Sequence, residues 1–134
     1  MDKINVVING ILGKMGQEVA KAVSQESDMS LSGGVDVNVA DNNTTLDNIK
    51  VYSNLNEIVD PIDVVIDFSN SEGAETIIRE SKKYAYNIVI GSTGIPEQVI
   101  TDASNIAKEK NIGIVIAPNF AIGAVLMSHL SKIA

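Results

Sequence analysis

Glycines at three-residue spacing follow the first apolar segment of the chain. Gly10, Gly13 and Gly16 form a G-x-x-G-x-x-G pattern directly after the β-branched run Ile4–Ile8. A glycine turn between a strand and a helix can hold a pyrophosphate, because the helix N-terminus offers free N–H groups and partial positive charge. In this interpretation Gly10 makes the tight turn, Gly13 lets the backbone approach the pyrophosphate, and Gly16 allows close helix–sheet packing. The spacing departs from the commoner G-x-G-x-x-G, so a turn required only for packing is the alternative.

Asp36 is the second candidate for chemistry. It lies 20 residues after Gly16, at the end of the next apolar segment. An acidic residue at this place accepts hydrogen bonds from the adenosine ribose hydroxyls of a dinucleotide. Val37 follows it, and no adjacent Lys or Arg could pair with a 2′-phosphate, which favours NADH. Lys14 could still reach such a phosphate, so NADPH remains an alternative, and a solvated turn aspartate is the alternative for Asp36 itself.

Three further loops follow predicted strands. They are Phe68–Asn70, Gly91–Gly94 and Ala117–Ala121. In a doubly wound sheet the carboxyl ends of the strands form the ligand crevice. Small residues and hydroxyls at that edge suit a flat ring and an amide lying on the backbone, although each loop alone is also ordinary turn chemistry.

The segments between these loops alternate between strand and helix patterns. The predicted strands are Ile4–Ile8, Met29–Val35, Val51–Tyr52, Asp63–Phe68, Asn87–Ile90 and Ile112–Ile116. The predicted helices are Lys14–Ser24, Ser71–Tyr84, a helix starting at Pro96 and Glu97 with the inner face Val99, Ile100, Ala103, Ile106 and Ala107, and a last helix from about Ile122. A helical turn is expected over Leu55–Ile58 and a surface loop over Asn38–Asn48. This order predicts an α/β fold with a doubly wound, mostly parallel, Rossmann-like sheet and helices on both faces.

Composition excludes several other chemistries. The chain has 134 residues, which suffices for one domain, with no Cys, one His and a net charge of -7. Without Cys there are no disulfides or thiolate nucleophiles, and a single His excludes a multi-His metal site, so no metal is expected. The acidic charge argues against nucleic acid and anionic membranes as partners. The sequence shows no secretory signal and no apolar segment of membrane-spanning length, so we expect a cytoplasmic protein.

Four motifs in order resemble the nucleotide-binding domain of the dihydrodipicolinate reductase family. They are Gly10-x-x-Gly13-Lys14-Met15-Gly16, Ile66-Asp67-Phe68-Ser69, Ile90-Gly91-Ser92-Thr93-Gly94 and Pro118-Asn119-Phe120-Ala121-Ile122-Gly123. The resemblance covers nearly the whole chain. It implies reduction of a cyclic imine-type dicarboxylate by NADH or NADPH, in the route to diaminopimelate and lysine.

The same resemblance implies a cofactor-binding role for particular residues. Gly10, Ile11, Leu12, Gly13, Lys14 and Met15 would hold the pyrophosphate, and Asp36 the ribose. Phe68 belongs to the same site, and Gly91, Ser92 and Thr93 would line its nicotinamide side. Pro118, Asn119, Phe120 and Ala121 would complete that wall and begin the hinge to the next domain. Ile11 stands where the family favours a small residue.

We therefore expect residues 1–134 to form a dinucleotide-binding domain. The family's substrate segment, with paired His, a Lys and a Gly-Thr turn, is expected to be absent, and His129 does not match it. The chain would then carry no catalytic residue, and the cyclic dicarboxylate would bind only with the absent domain. The last helix stops without a cap or polar tail, which indicates a chain cut inside a larger protein. A stand-alone nicotinamide-nucleotide-binding or redox-sensing module and another two-domain amino-acid-pathway dehydrogenase are the alternatives, and a homo-oligomer is left open.

Overall fold

A computed structural model describes residues 2–41 and 44–117. Within these ranges the chain alternates between strands and helices. In chain order the elements are β1 Ile4–Asn9, α1 Lys14–Ser24, β2 Met29–Val35, β3 Thr45–Leu46, β4 Ile49–Tyr52, β5 Val64–Asp67, α2 Ser71–Tyr84, β6 Asn87–Ile90, α3 Glu97–Lys110 and β7 Ile114–Ile116. A 3₁₀ turn at Leu55–Glu57 follows β4, where a helical turn is predicted.

The strands form one sheet in the order β3-β4-β2-β1-β5-β6-β7. All neighbouring strands run parallel except β3 and β4, which are antiparallel. From β1 the sheet extends through β2 in one direction and through β5 in the other, so the strand order reverses between β1 and β5. The predicted doubly wound, mostly parallel sheet is confirmed, and its switch point lies at the carboxyl ends of these two strands.

Two apolar cores lie on opposite faces of the sheet. Because successive side chains of a strand point to opposite faces, Val6 and Ile8 pack under α1, while Val7 packs under α2 and α3. The inner face of α2 is buried as its helical spacing predicts, at Ala74, Ile77, Ile78 and Ser81. Helices therefore cover both faces, as expected. Every helix in the described ranges is too short or too polar to cross a bilayer.

The predicted surface loop Asn38–Asn48 is wrong at its end, because β3 lies within it. Asp47 and Asn48 adopt φ angles of 50° and 69°. Two consecutive residues with positive φ make the tight turn that joins hairpin strands, and Asn and Asp tolerate this conformation best. The turn pairs Leu46 with Ile49, so β4 also begins earlier than the predicted Val51.

Two predictions around α3 also need correction. Ile100, assigned to the inner face, is 43% exposed, because it lies about 100° around the helix from the buried Val99. The predicted strand Ile112–Ile116 begins only at Ile114. Asn111 ends α3 with a φ of 54°, and the Ile112 N–H still donates to the Ala107 carbonyl of the helix, so the chain has not yet joined the sheet.

Candidate functional site

Two of the three glycines in the first turn are required by the packing of the chain itself. Gly10 has a φ of 83°, and a Cβ there would lie 2.9 Å from the backbone of Phe68. A Cβ at Gly16 would overlap the Gly10 carbonyl oxygen. Gly10 and Gly16 therefore let β1, α1 and the segment after β5 come together at the switch point.

Gly13 differs from the other two glycines. Its backbone is extended, with φ -74° and ψ 165°, and a Cβ would make only an ordinary contact of 3.4 Å with the Gly10 oxygen. Gly13 is also the N-cap of α1, and no side chain caps this helix. The first helical hydrogen bond runs from the Gln17 N–H to the Gly13 carbonyl, so the N–H groups of the first turn have no intrahelical acceptor. A glycine without a packing role beside free N–H groups suits an anion that must approach the backbone.

The N–H groups from Gly10 to Gly13 already have acceptors, and that of Leu12 donates to Asp36. Those of Gly10 and Ile11 both donate to the Val35 carbonyl, at 2.7 and 3.4 Å, and that of Gly13 donates to the Gly10 carbonyl at 3.1 Å. Among the residues predicted to hold a pyrophosphate, Lys14 and Met15 therefore offer N–H groups, whereas Gly10 and Ile11 build the turn that carries them.

The side chain of Ile11 points into the core. It is fully buried, and a Cβ at Gly34 of β2 would lie 2.6 Å from its Cδ1 atom. The larger residue at this position is thus accommodated by a glycine on the neighbouring strand. Its side chain therefore cannot reach a ligand at the turn.

Asp36 lies just beyond the end of β2, and its carboxylate is oriented by backbone groups. Its Oδ2 accepts the Leu12 N–H at 2.9 Å, and its Oδ1 accepts the Asn38 N–H at 2.9 Å. The residue is only 6% exposed, whereas the neighbouring Val37 is 85% exposed. In residues 2–41 and 44–117 no salt bridge involves Asp36. Each carboxylate oxygen keeps a further lone pair for a donor.

A cleft of about 210 Å³ lies at the switch point between these segments. Its walls come from the turn after β1, the segment after β2 and the segment after β5, and include Gly10, Gly13, Asp36 and Phe68. The structure therefore brings these predicted residues together from three separate parts of the sequence. A larger cavity of about 320 Å³ lies between α2 and α3 and contains none of the predicted residues.

Phe68 connects this cleft to the loop after β6. Its backbone lies against Gly10, and a Cβ at Gly91 would overlap its ring. The Gly91 N–H donates to the Asp67 carbonyl at 2.8 Å, which fixes the start of the loop. Of the next two predicted residues, Thr93 is exposed, but Ser92 is only 6% exposed.

Asp67 was not predicted as a site residue, yet it organises this edge of the sheet. Its side chain is fully buried, and its carboxylate accepts hydrogen bonds from Asn9 Nδ2 at 2.8 Å, Ser69 Oγ at 2.6 Å and Ser92 Oγ at 2.6 Å. Burial raises the pKa of Asp67 above 3.8, although these hydrogen bonds oppose the rise. The signal in the sequence was a polar last residue directly after the apolar triplet Val-Val-Ile in both strands, Asn9 in β1 and Asp67 in β5.

Part of the predicted site falls outside the described residues. Pro118, Asn119, Phe120, Ala121 and His129 belong to that part, as does the predicted last helix. Within the ranges that are described, the Asp and Glu side chains form no group that could hold a metal ion.

The fold and the cleft define a class of protein. A doubly wound parallel sheet with a glycine turn, a free helix N-terminus and an acidic strand end at its switch point is a Rossmann-type nucleotide-binding domain. Residues 4–120 match the family described as "Dihydrodipicolinate reductase, N-terminus", and the chain belongs to this family. The match decides against the alternative of another amino-acid-pathway dehydrogenase.

Individual relatives agree with this family. The chain is 36% identical over 140 residues to the 4-hydroxy-tetrahydrodipicolinate reductase of Dehalococcoides mccartyi strain BAV1, covering 100% of the chain and 53% of that protein. It is also 36% identical over 142 residues to the reductase of the same name from Synechocystis, covering 96% of the chain and 52% of the relative. The chain thus spans about half the length of the curated relatives it matches.

Solved structures of dehydrogenases and reductases share the fold of this chain. Dipicolinate-bound dihydrodipicolinate reductase from Paenisporosarcina sp. TG-14 matches with a TM-score of 0.76 and 29% identity, over 98% of this chain and 53% of that one. Homoserine dehydrogenase of S. aureus at pH 7.0 matches with a TM-score of 0.74 over 89% of this chain and 33% of that one. Its 16% identity shows a shared fold alone.

Proposed function

We propose that residues 1–134 are the dinucleotide-binding domain of a 4-hydroxy-tetrahydrodipicolinate reductase, which reduces a cyclic dicarboxylate in the route to diaminopimelate and lysine. The observation that carries the proposal is the cleft at the switch point, where the uncapped N-terminus of α1 and the carboxylate of Asp36 meet. The similarity to reductases over the whole chain supports the same conclusion.

The turn after β1 would hold the pyrophosphate of the cofactor. The N–H groups of Lys14, Met15 and Gly16 have no intrahelical acceptor, and the helix dipole places partial positive charge there. Gly13 has no side chain to stand between these groups and a phosphate, and its packing does not require glycine. The exposed ammonium group of Lys14 adds positive charge to the same end of the helix.

Asp36 would bind the adenosine ribose and would favour NADH over NADPH. Its two backbone donors hold the carboxylate in one orientation, and its remaining lone pairs can accept the ribose hydroxyls. Such a hydrogen bond to a charged group contributes about 1.5–3 kcal/mol. A 2′-phosphate would instead meet a carboxylate that no cation neutralises within the described residues. Because Lys14 offsets part of this repulsion, we expect a preference of about tenfold.

Phe68, Gly91 and Thr93 would form the nicotinamide side of the site, together with the predicted Pro118–Ala121 segment. When bound, the nicotinamide supplies a hydride from its C4 atom to a carbon of the substrate. The chain would orient the ring through the Phe68 side chain and the backbone of the Gly91 loop, which contact each other directly. These residues offer no cation, so capture of a dicarboxylate and delivery of a proton are assigned to other parts of a full-length reductase.

Competitive titration of NADH against NADPH tests this proposal. The wild-type chain, Asp36→Asn and Asp102→Asn are compared at low and at moderate salt. Asp102 is an exposed carboxylate on α3, so its variant matches the change in net charge away from the cleft. We expect the NADH preference to be reduced by Asp36→Asn and retained by Asp102→Asn. A wild-type chain that binds NADPH as tightly as NADH at both salts would contradict the role of Asp36, and one that binds neither would refute the proposed function.

A further inference from the structure

Asp67 lies at the centre of the carboxyl edge of the sheet. It is the last residue of β5, in register with Asn9 of β1 on one side and Ile90 of β6 on the other. Its side chain has no exposed surface. The carboxylate therefore sits where the segments that form the proposed cofactor site leave the sheet.

Among the described residues, only neutral side chains donate hydrogen bonds to this carboxylate. Asn9, Ser69 and Ser92 donate to it, and no Lys, Arg or His in those ranges forms an ion pair with it. A buried charge is costly unless hydrogen bonds satisfy it, and apolar residues of similar size often stabilise a core equally well. A contribution to stability therefore does not explain why a carboxylate lies at this position. The positions of the three residues that donate to it, Asn9, Ser69 and Ser92, do explain it.

Each donor lies on a different wall of the proposed site. Asn9 and Ser69 line the cleft beside the glycine turn. Ser92 belongs to the loop after β6, where its hydroxyl points inward to Asp67 Oδ2 at 2.6 Å. With Ser92 held inward, Gly91 stays against the Phe68 ring and Thr93 remains exposed at the edge. One carboxylate thus ties the loop on the nicotinamide side to the cleft on the adenosine side.

We infer that Asp67 is a positioning residue that acts through Ser92 to hold the Gly91–Gly94 loop in the orientation required by the nicotinamide half of the cofactor. This inference rests on the proposed function. It also changes the predicted role of Ser92, which does not contact the cofactor through its hydroxyl. The loop presents the backbone of Gly91 and the side chain of Thr93 instead.

Calorimetric titration with two probes, NADH and ADP-ribose, tests the inference on the 134-residue chain. ADP-ribose lacks only the nicotinamide, so the ratio of the two affinities reports on that half of the site. We expect Ser92→Ala to weaken NADH binding by about tenfold, the equivalent of one modest hydrogen bond, and to leave ADP-ribose binding unchanged. Asp67→Asn keeps an acceptor for Asn9 and Ser69 but turns its NH₂ group toward Ser92, whose hydroxyl would then accept instead of donate. Because this neutral bond is weaker than one to a carboxylate, the same ratio should fall, but by less than in Ser92→Ala.

Two matched variants serve as controls. Asp63→Asn removes the carboxylate that accepts the Asn5 N–H at 2.7 Å, at the opposite end of β5. Ser81→Ala removes a buried hydroxyl that donates to the Ile78 carbonyl within α2. Both should keep the wild-type ratio of affinities.

The outcomes separate the inference from the proposed function. Equal losses for NADH and ADP-ribose, or no loss in either variant, would overturn the positioning role while leaving cofactor binding intact. A wild-type chain that binds neither probe would overturn both. Thermal unfolding of each variant is measured alongside, and if Asp67→Asn does not fold, Ser92→Ala tests the same interaction by removing a single hydroxyl.

Discussion

Two glycines at the start of α1, Gly13 and Gly16, should respond to substitution in different ways. At Gly13 a side chain would make an ordinary 3.4 Å contact with the Gly10 oxygen, so the fold should accept it. At Gly16 a Cβ would overlap the same oxygen and lie 2.8 Å from Ile11 Cα. We therefore expect Gly13→Val to affect ligand binding and Gly16→Ala to affect folding.

The structure sets the size of both effects. A valine at Gly13 would stand beside the free N–H groups of α1, and the loss of one hydrogen bond to a charged phosphate costs about 1.5–3 kcal/mol. At about 1.4 kcal/mol for each factor of ten, NADH should bind roughly 10- to 150-fold more weakly. Gly16→Ala forces backbone apart, and overpacking of this kind costs about 1–3 kcal/mol. For a chain of this size that is a decrease in Tm of about 3–12 °C.

Calorimetric titration with NADH and thermal unfolding, applied to the same variants, measure the two effects separately. Gly113→Ala is the matched control, because its Cβ would lie 3.6 Å from Asn87 Oδ1, away from the cleft. It should change neither NADH affinity nor Tm by much. Wild-type NADH affinity in Gly13→Val would refute the placement of the pyrophosphate, and a Tm as low as that of Gly16→Ala would refute the packing argument.

Three further predictions concern stability and activity. Tyr86 is buried and its hydroxyl donates to the Ile77 carbonyl at 2.7 Å, so Tyr86→Phe should lower the free energy of unfolding by about 1 kcal/mol in urea titration; an unchanged value would contradict a stabilising role for the bond. Burial raises the pKa of Asp67 above 3.8, so the folded chain binds this proton more tightly than the unfolded chain. The resulting stabilisation of the folded state is present below pH 3.8 and is lost as the pH rises through the raised pKa. The Tm of wild type relative to Asp67→Asn should thus fall as the pH rises above 3.8, and a constant difference would argue against a raised pKa. Finally, the 134-residue chain should bind NADH without turnover of enzymatically generated substrate, followed by NADH absorbance; turnover near that of a full-length relative would require reconsidering His129.

Regular elements were predictable where a helix or strand carries its own apolar pattern. Asn87–Ile90 and Ser71–Tyr84 have the predicted bounds, because the first is a short buried apolar run and the burial of the second follows the period of a helix. The two-residue strand β3 could not be predicted in this way. It has too few residues for a pattern, and it exists because the turn at Asp47 and Asn48 brings it to β4.

The residues of the candidate site also differ in how far the sequence predicts their placement. Gly10, Gly13 and Asp36 come together because their position at strand ends already places them at one edge of a parallel sheet. The orientation of Ser92 depends instead on Asp67, 25 residues earlier and on a neighbouring strand. No local pattern encodes such a contact, so the sequence predicts that Ser92 lies in the loop on the nicotinamide side but not where its hydroxyl points.

Phe68 constrains two glycines in different ways, which has a consequence for the evolution and engineering of this chain. At Gly91 the obstacle to a larger residue is the Phe68 ring, whereas at Gly10 it is the Phe68 backbone. Positions 68 and 91 should therefore vary together, a smaller residue at one permitting a larger residue at the other. Position 10 gains nothing from such an exchange, because every residue at 68 has the same backbone. A library designed to alter cofactor use should randomise 68 and 91 as a pair and leave Gly10 fixed.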